Sequence, residues 1–132
     1  MSRVILFDLP EDLGIRLASV LMAESHQVSR KRYLADLARG ANFSAVFISG
    51  DSPDFRQTLA RLRESYADLP VIVVSRHPDA RQWLDALDGG ATDYCGAPFE
   101  RVQIRWIMGS IQAQTPAPSA PWTGPVLSAV GR

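Results

Sequence analysis

Short runs of apolar residues recur along the chain, separated by longer and more polar segments. They occupy residues 4–7, 45–48 and 71–74, with a weaker run at 92–95. The first three runs are unbroken rather than alternating, and they are rich in β-branched and aromatic residues. This pattern is typical of strands that are buried on both faces, as in a parallel sheet covered by helices. A poorer signal at residues 26–28 predicts a fifth strand.

The segments between the runs have helical spacing. Leu13, Leu17 and Leu21 repeat every four residues on one face of a helix that Pro10 opens well. Four more helices are predicted around residues 33–38, 59–66, 83–87 and 102–111. Strand and helix therefore alternate five times. This order predicts an α/β domain of three layers, α-β-α, in which a five-stranded parallel sheet has right-handed crossovers.

The amino-acid composition indicates one globular domain followed by a proline-rich segment. The chain has 132 residues, of which 46% are hydrophobic and 21% charged, as expected for one globular domain. From Thr115 the helical period is lost, and the stretch TPAPSAPWTGP holds four of the nine prolines. We therefore predict a domain at residues 1–114 and a tail or linker stub at 115–132.

Charge and cysteine content narrow the function classes. The 14 basic and 14 acidic side chains cancel, which makes nucleic-acid binding an unfavoured interpretation. The basic run at residues 30–32 is the one candidate patch, and we interpret it as the solvated start of the second helix. Cys95 is the single cysteine, so an internal disulfide and a cysteine metal cluster are excluded. The apolar run at residues 4–7 is too short for a signal peptide or a membrane span, and we expect a cytoplasmic protein.

Residues that follow the predicted strands are the candidates for chemistry, because ligands of open parallel sheets bind outside the carboxyl ends of the strands. Asp8 follows the apolar run at 4–7, which is the first predicted strand. Ser49 follows the run at 45–48, which is the third predicted strand, and Pro53 lies four residues further on. Ser75 follows Val73-Val74. The last strand contributes the stretch Gly90-Ala91-Thr92-Asp93-Tyr94, followed by Ala97-Pro98-Phe99.

In this order, the motifs resemble those of bacterial two-component response-regulator receiver domains over roughly residues 3–112. The resemblance implies a flavodoxin-like (βα)5 fold. It also implies a phosphoryl site in which an acidic pair after the first strand and an aspartate after the third strand hold Mg²⁺. That aspartate accepts the phosphoryl group, while a Ser or Thr after the fourth strand and a Lys before the last Pro contact it. Ser75 matches the hydroxyl position, and Tyr94 matches the aromatic residue that rotates in switching receivers.

This chain departs from the pattern at three positions. Phe7 replaces one acid of the pair and leaves Asp8 alone, Ser49 replaces the acceptor aspartate, and Ala97 replaces the lysine. One carboxylate makes a poor Mg²⁺ site, and a phosphoryl group would lose its charge-assisted contact with the lysine. The sequence therefore predicts a degenerate pseudo-receiver with no catalytic residues, no cofactor and no metal, which signals through protein partners.

Asp51 supports a competing hypothesis. It lies two residues beyond Ser49 and could be a displaced phosphoacceptor, with Asp8 and Asp51 holding Mg²⁺ and a sensor kinase as the partner. The favoured interpretation is that Asp51 and Asp54 satisfy backbone donors in a turn and cap the next helix. Nucleotide binding in the same crevice is a third option, but the chain has no glycine-rich phosphate loop.

The fifth predicted helix is apolar around much of its circumference, whereas a surface helix needs one apolar stripe. An exposed apolar patch usually marks an interface. We predict an interface formed by Trp83 of the fourth helix and by Trp106, Ile107 and Ile111 of the fifth. The resemblance implies a homodimer through these two helices. The alternative is that the tail with Trp122 covers the patch.

Overall fold

The parallel sheet predicted from the apolar runs forms the centre of the structure, which is a computed structural model describing residues 3–33, 37 and 43–113. This part of the chain contains five strands and four helices. They are β1 (Arg3–Phe7), α1 (Glu11–Ala23), β2 (Gln27–Lys31), β3 (Ala45–Ser49), α2 (Phe55–Ser65), β4 (Val71–Ser75), α3 (Ala80–Asp88), β5 (Asp93–Gly96) and α4 (Arg101–Ala113). The helices α1, α2, α3 and α4 correspond to the first, third, fourth and fifth predicted helices.

The strands are ordered β2-β1-β3-β4-β5, and every neighbouring pair is parallel. The order runs in opposite directions on the two sides of β1, so the crevice between the loops after β1 and β3 is the topological switch point of the sheet. The prediction of a five-stranded parallel sheet is confirmed for the described residues. The prediction of a three-layer, flavodoxin-like α/β fold is confirmed with it.

Side chains of successive strand residues alternate between the two faces of the sheet, and each face has its own core. One core joins the sheet to α1 and α4, and the other joins it to α2 and α3. The first contains Leu6, Phe47, Ile72, Val74, Leu13, Leu17, Leu21, Ile104, Ile107 and Met108. The second contains Ile5, Phe7, Ile48, Val73, Tyr94, Leu59, Leu62 and Ala86.

The edge strand β2 departs from the sequence prediction. Arg30 and Lys31 belong to β2 and pair with Leu6 and Phe7, so the interpretation of the basic run as the start of a helix is wrong. An edge strand faces water and has one neighbour, so it accepts charged residues and needs no apolar run.

Two predicted segments fall largely or wholly outside the described residues. Most of the second predicted helix, around residues 33–38, lies outside the described residues. Of its residues, Tyr33 is exposed and Leu37 is buried in the second core. The tail at 115–132 is the other, so the boundary at 114 stays a prediction. No helix in the described part of the chain is long and apolar enough to cross a membrane.

Candidate functional site

The parallel sheet brings the predicted site residues to one edge. Ser49 is the last residue of β3 and Ser75 the last of β4, and both are buried. Asp8 directly follows β1, the neighbour of β3 on the other side. Ala97 follows β5, and its N–H donates to the carbonyl of Ser75 at 2.9 Å. Three neighbouring strands therefore end in the crevice that the resemblance indicated.

Asp51 is hydrogen-bonded to both neighbouring strand ends, β3 and β4. Its Oδ1 accepts a hydrogen bond from the Ser75 hydroxyl at 2.7 Å, and its Oδ2 accepts one from the backbone N–H of Arg76 at 2.7 Å. Its own N–H donates to Ser49 Oγ at 3.1 Å. Asp51 thus satisfies a backbone donor, as the favoured interpretation required. The donor belongs to the loop after β4, however, and not to a turn of its own.

Asp54 does not cap α2 as predicted. It occupies the N-cap position, but its side chain makes no capping hydrogen bond and instead accepts from the Ser52 hydroxyl. The short Ser52 side chain competes successfully for the carboxylate because it lies in the same turn. The two acids of this loop therefore have different roles: Asp54 bonds locally, whereas Asp51 joins two loops.

Arg76 extends the connection towards β1. Its guanidinium forms an ion pair with Asp12 in the first turn of α1. Because β3 lies between β1 and β4, this ion pair links the start of α1 to the loop after β4, across the end of β3. Sequence reasoning placed Arg76 at the end of a strand but missed its bond to Asp12, since the partners are 64 residues apart and nothing in their local pattern relates them.

Tyr94 completes a second chain of hydrogen bonds. The ring is 1% exposed, its hydroxyl donates to Gln82 Oε1 at 2.6 Å, and Gln82 Nε2 donates to the carbonyl of Gly50 at 2.9 Å. Burial raises the pKa of Tyr94 to about 12, so the hydroxyl stays protonated and can donate at neutral pH. Gly50 is required here because a Cβ atom would lie 2.7 Å from Val73 Cγ1 and 2.8 Å from Gln82 Oε1. Tyr94 is thereby connected through α3 to the loop that carries Asp51.

The residues of this site fit Mg²⁺ poorly. Phe7 is buried in the second core, and both carboxylate oxygens of Asp51 are engaged by Ser75 and Arg76. Asp8 is exposed and has a left-handed backbone with φ of 53°, a conformation that aspartate tolerates better than most residues. Within residues 3–33, 37 and 43–113, no group of three or more His, Cys, Asp or Glu side chains is placed to hold a metal.

The predicted interface is only partly exposed. Trp106 is 43% exposed, but Ile107 is 1% exposed and packs in the first core, so its assignment to an interface is wrong. Ile107 lies one turn after the buried Ile104, on the stripe of α4 that faces the sheet. Ile111 and Trp83 are half-buried against the two cores. The exposed apolar side chains of α3 and α4 are Trp106, Val102 at 63% and Leu84 at 50%.

Comparison with solved structures identifies the architecture. A response regulator from Thermotoga maritima is 20% identical to this chain, with a TM-score of 0.75, and the match covers 86% of this chain and 98% of the other. The beryllofluoride-activated NtrC4 receiver domain dimer is 20% identical with a TM-score of 0.66, over 86% of this chain and 95% of the other.

An atypical orphan response regulator, described as having a phosphorylation-independent regulatory mechanism, is 22% identical with a TM-score of 0.64, over 90% of this chain and 99% of the other. The chain therefore has the fold of response-regulator receiver domains. No model of a protein family matches it, and no curated protein does.

Proposed function

We propose that this chain is a receiver-like signalling domain of a two-component pathway that acts through protein–protein contacts and without aspartyl phosphorylation. One observation carries the proposal: Ser49 ends β3, and the carboxylate of Asp51, two residues further along the chain, is already hydrogen-bonded to Ser75 and Arg76. In this proposal the domain is cytoplasmic, has no catalytic activity or cofactor of its own, and binds pathway proteins, of which a sensor kinase is one candidate.

The electrostatics of the crevice support this function. A phosphoryl group brings a charge of about −1.5 to −2 at neutral pH and needs donors or cations around it. Ala97 has no cationic group, and Phe7 lies in the apolar core. The Ser75 hydroxyl and the Arg76 N–H already donate hydrogen bonds to Asp51. A second anion in this crevice would meet the charge of Asp51 rather than a lysine. The atypical orphan regulator similar to this chain is described as phosphorylation-independent, which agrees with the proposal.

Intact-mass measurement after incubation with acetyl phosphate and Mg²⁺ tests the proposal. We expect no gain of a phosphoryl group in the wild-type chain. The matched variants are Asp51→Asn and Asp54→Asn, which remove one carboxylate each from the same loop. An acid-labile gain that Asp51→Asn abolishes and Asp54→Asn preserves would establish the alternative, a regulator phosphorylated on Asp51. Any acid-labile gain in the wild type would overturn phosphorylation independence.

We also propose that α3 and α4 form a homodimer interface. The exposed side chains of Trp106, Val102 and Leu84 are large and apolar, and burying such side chains is worth roughly 1.5–3 kcal/mol each. The zero net charge of the chain adds no long-range repulsion between copies. A receiver domain with the same fold is described as a dimer in its activated form.

Sedimentation velocity over a concentration series tests the dimer. The wild type is expected to associate, and Trp106→Glu is expected to shift the chain to monomer. Tyr33→Glu is the matched control, because Tyr33 is 64% exposed and follows β2, the edge strand on the opposite side of the sheet from β5. A wild type that stays monomeric at all concentrations would refute the dimer, as would equal effects of the two substitutions.

A further inference from the structure

Asp51 places a full negative charge against two donors that belong to another loop. The Ser75 hydroxyl and the Arg76 N–H converge on its two oxygens, at 2.7 Å each. Hydrogen bonds to an ionised acceptor are roughly twice as strong as bonds between neutral groups. The donors lie at the carboxyl end of β4, beside the buried Ser49, at the ligand-binding edge of the sheet. A small oxyanion held there from solution would use the same hydroxyl and amide.

The position of this loop is coupled to Tyr94. Gly50, the neighbour of Asp51, accepts a hydrogen bond from Gln82, and the other end of the same amide accepts from the Tyr94 hydroxyl. The N–H of Gln82 is in turn held by Asp79, the N-cap of α3. A displacement of the loop after β3 therefore acts on α3 and β5 through one amide side chain.

We infer that Asp51 is a built-in anionic ligand, which fills the oxyanion donors of the crevice and holds α3 and Tyr94 in a single arrangement. This inference rests on the proposed function and deepens it, because it supplies the reason why no phosphoryl group is needed. The carboxylate is covalently part of the chain, so its local concentration is constant and no kinase controls its occupancy. The exposed surface of α3, with Leu84, is then presented permanently to partners.

Removing the carboxylate creates an empty site that a free carboxylate can fill. In Asp51→Ala the Ser75 hydroxyl and the Arg76 N–H lose their acceptor but keep their positions on the end of β4. Acetate carries the same functional group as the aspartate side chain and is the probe. We expect acetate to bind Asp51→Ala and to restore the arrangement of α3 and Tyr94. Asp54→Ala, which removes the neighbouring acid but leaves both donors engaged, is the matched control.

Amide hydrogen exchange of Arg76 and the aromatic NMR signals of Tyr94 are the readouts. Because a hydrogen bond to a charged group is stronger than one between neutral groups, and because the exposed position of Asp51 weakens it, we expect exchange at Arg76 to accelerate about tenfold in Asp51→Ala. Acetate should reverse the acceleration and the shift of the Tyr94 signals in Asp51→Ala, whereas Asp54→Ala should show neither effect and no response to acetate. Sodium chloride at the same ionic strength should have no such effect.

Unchanged Arg76 protection in Asp51→Ala would overturn the inference, and so would acceleration that chloride and acetate reverse equally. If Asp51→Ala does not fold, Asp51→Asn replaces it, since the amide keeps the shape of the side chain and loses its charge. The ratio of the Arg76 exchange rates in this variant and in the wild type then tests the inference in the same way. These outcomes are independent of the phosphorylation test. A phosphoryl group detected by intact mass in the wild type would contradict the proposed function. The role of Asp51 as an anionic ligand is tested separately, by the exchange rate of the Arg76 amide.

Discussion

Replacing Arg63 with alanine would test how the amino end of the sheet is held together. Arg63 lies in the last turn of α2, and its guanidinium bonds to the segment after that helix and to the turn between α3 and β5. Its partners are the carbonyls of Gly90 at 2.9 Å, Tyr66 at 3.3 Å, Ala67 at 3.4 Å and Leu69, and the hydroxyl of Thr92 at 3.3 Å. One side chain therefore joins three parts of the chain.

The magnitude follows from the two shorter bonds, to Gly90 and Leu69. A hydrogen bond that involves a charged group contributes about 1.5–3 kcal/mol, and the half-buried position of Arg63 favours the lower end. We expect Arg63→Ala to lower the free energy of unfolding by about 2–4 kcal/mol. For a domain of this size, such a loss corresponds to a fall in Tm of roughly 10 °C.

Urea and thermal unfolding, followed by circular dichroism, would measure this loss. Arg61→Ala is the control, because Arg61 is an exposed arginine on the same helix. Arg63→Lys keeps the charge but not the planar fork, and should recover less than half of the loss. The reasoning would be refuted if Arg63→Ala changed the free energy of unfolding by less than about 0.5 kcal/mol, the range of ordinary surface substitutions.

Three further predictions concern the helical layers and the core. Hydrogen bonds from Arg105 and Arg101 lower the pKa of Glu24 from 4.5 to about 2, so the stability it contributes is complete above pH 4.5 and is lost as the pH falls towards 2. Urea midpoints of Glu24→Gln should therefore depend less on pH than those of the wild type over that window, and parallel curves would contradict this. Cys95 is fully buried, and burial raises the pKa of its thiol, so labelling by iodoacetamide should require unfolding; rapid labelling of the native chain, seen by mass, would exclude it. Phe47→Ala should cost about 3–5 kcal/mol in urea unfolding, and a cost under about 1 kcal/mol would show that the core is not packed around this ring.

The central strands could be predicted from the sequence because both of their faces are buried. Burial on two faces demands an unbroken apolar run, as in β3 and β4, and such runs are rare elsewhere in the chain. The edge strand β2 has no such demand, and its Arg30 and Lys31 gave no strand signal. The alternation of strands and helices predicted a parallel sheet, whereas the order of its strands and the limits of β2 were visible only in the structure.

The sequence predicted which residues lie at the ends of the strands, but not which hydrogen bonds their side chains make. Ser49 and Ser75 were located because the end of a buried strand is visible as the end of an apolar run. The partners of Asp51 depend on the path of two loops, and its bond to Ser75 spans 24 residues with no local signal. On α4 apolar residues occupy much of the circumference, so the periodicity could not indicate which side faces the sheet. Ile107 was misassigned for that reason, and its burial was visible only in the structure.

The packing of α4 against α1 bears on the order in which the molecule can assemble. Leu13 and Leu17 of α1 share a core with Ile104 and Met108 of α4, and Glu24 bonds to two arginines of α4. During synthesis the first helix therefore emerges long before α4, which completes the core on this face of the sheet. Until then the part of its apolar stripe that packs against α4 is open to water and to other chains, as in partly folded chains that aggregate. We expect a nascent chain that stops after β5 to need a chaperone, and the last helix to act as the step that completes the domain.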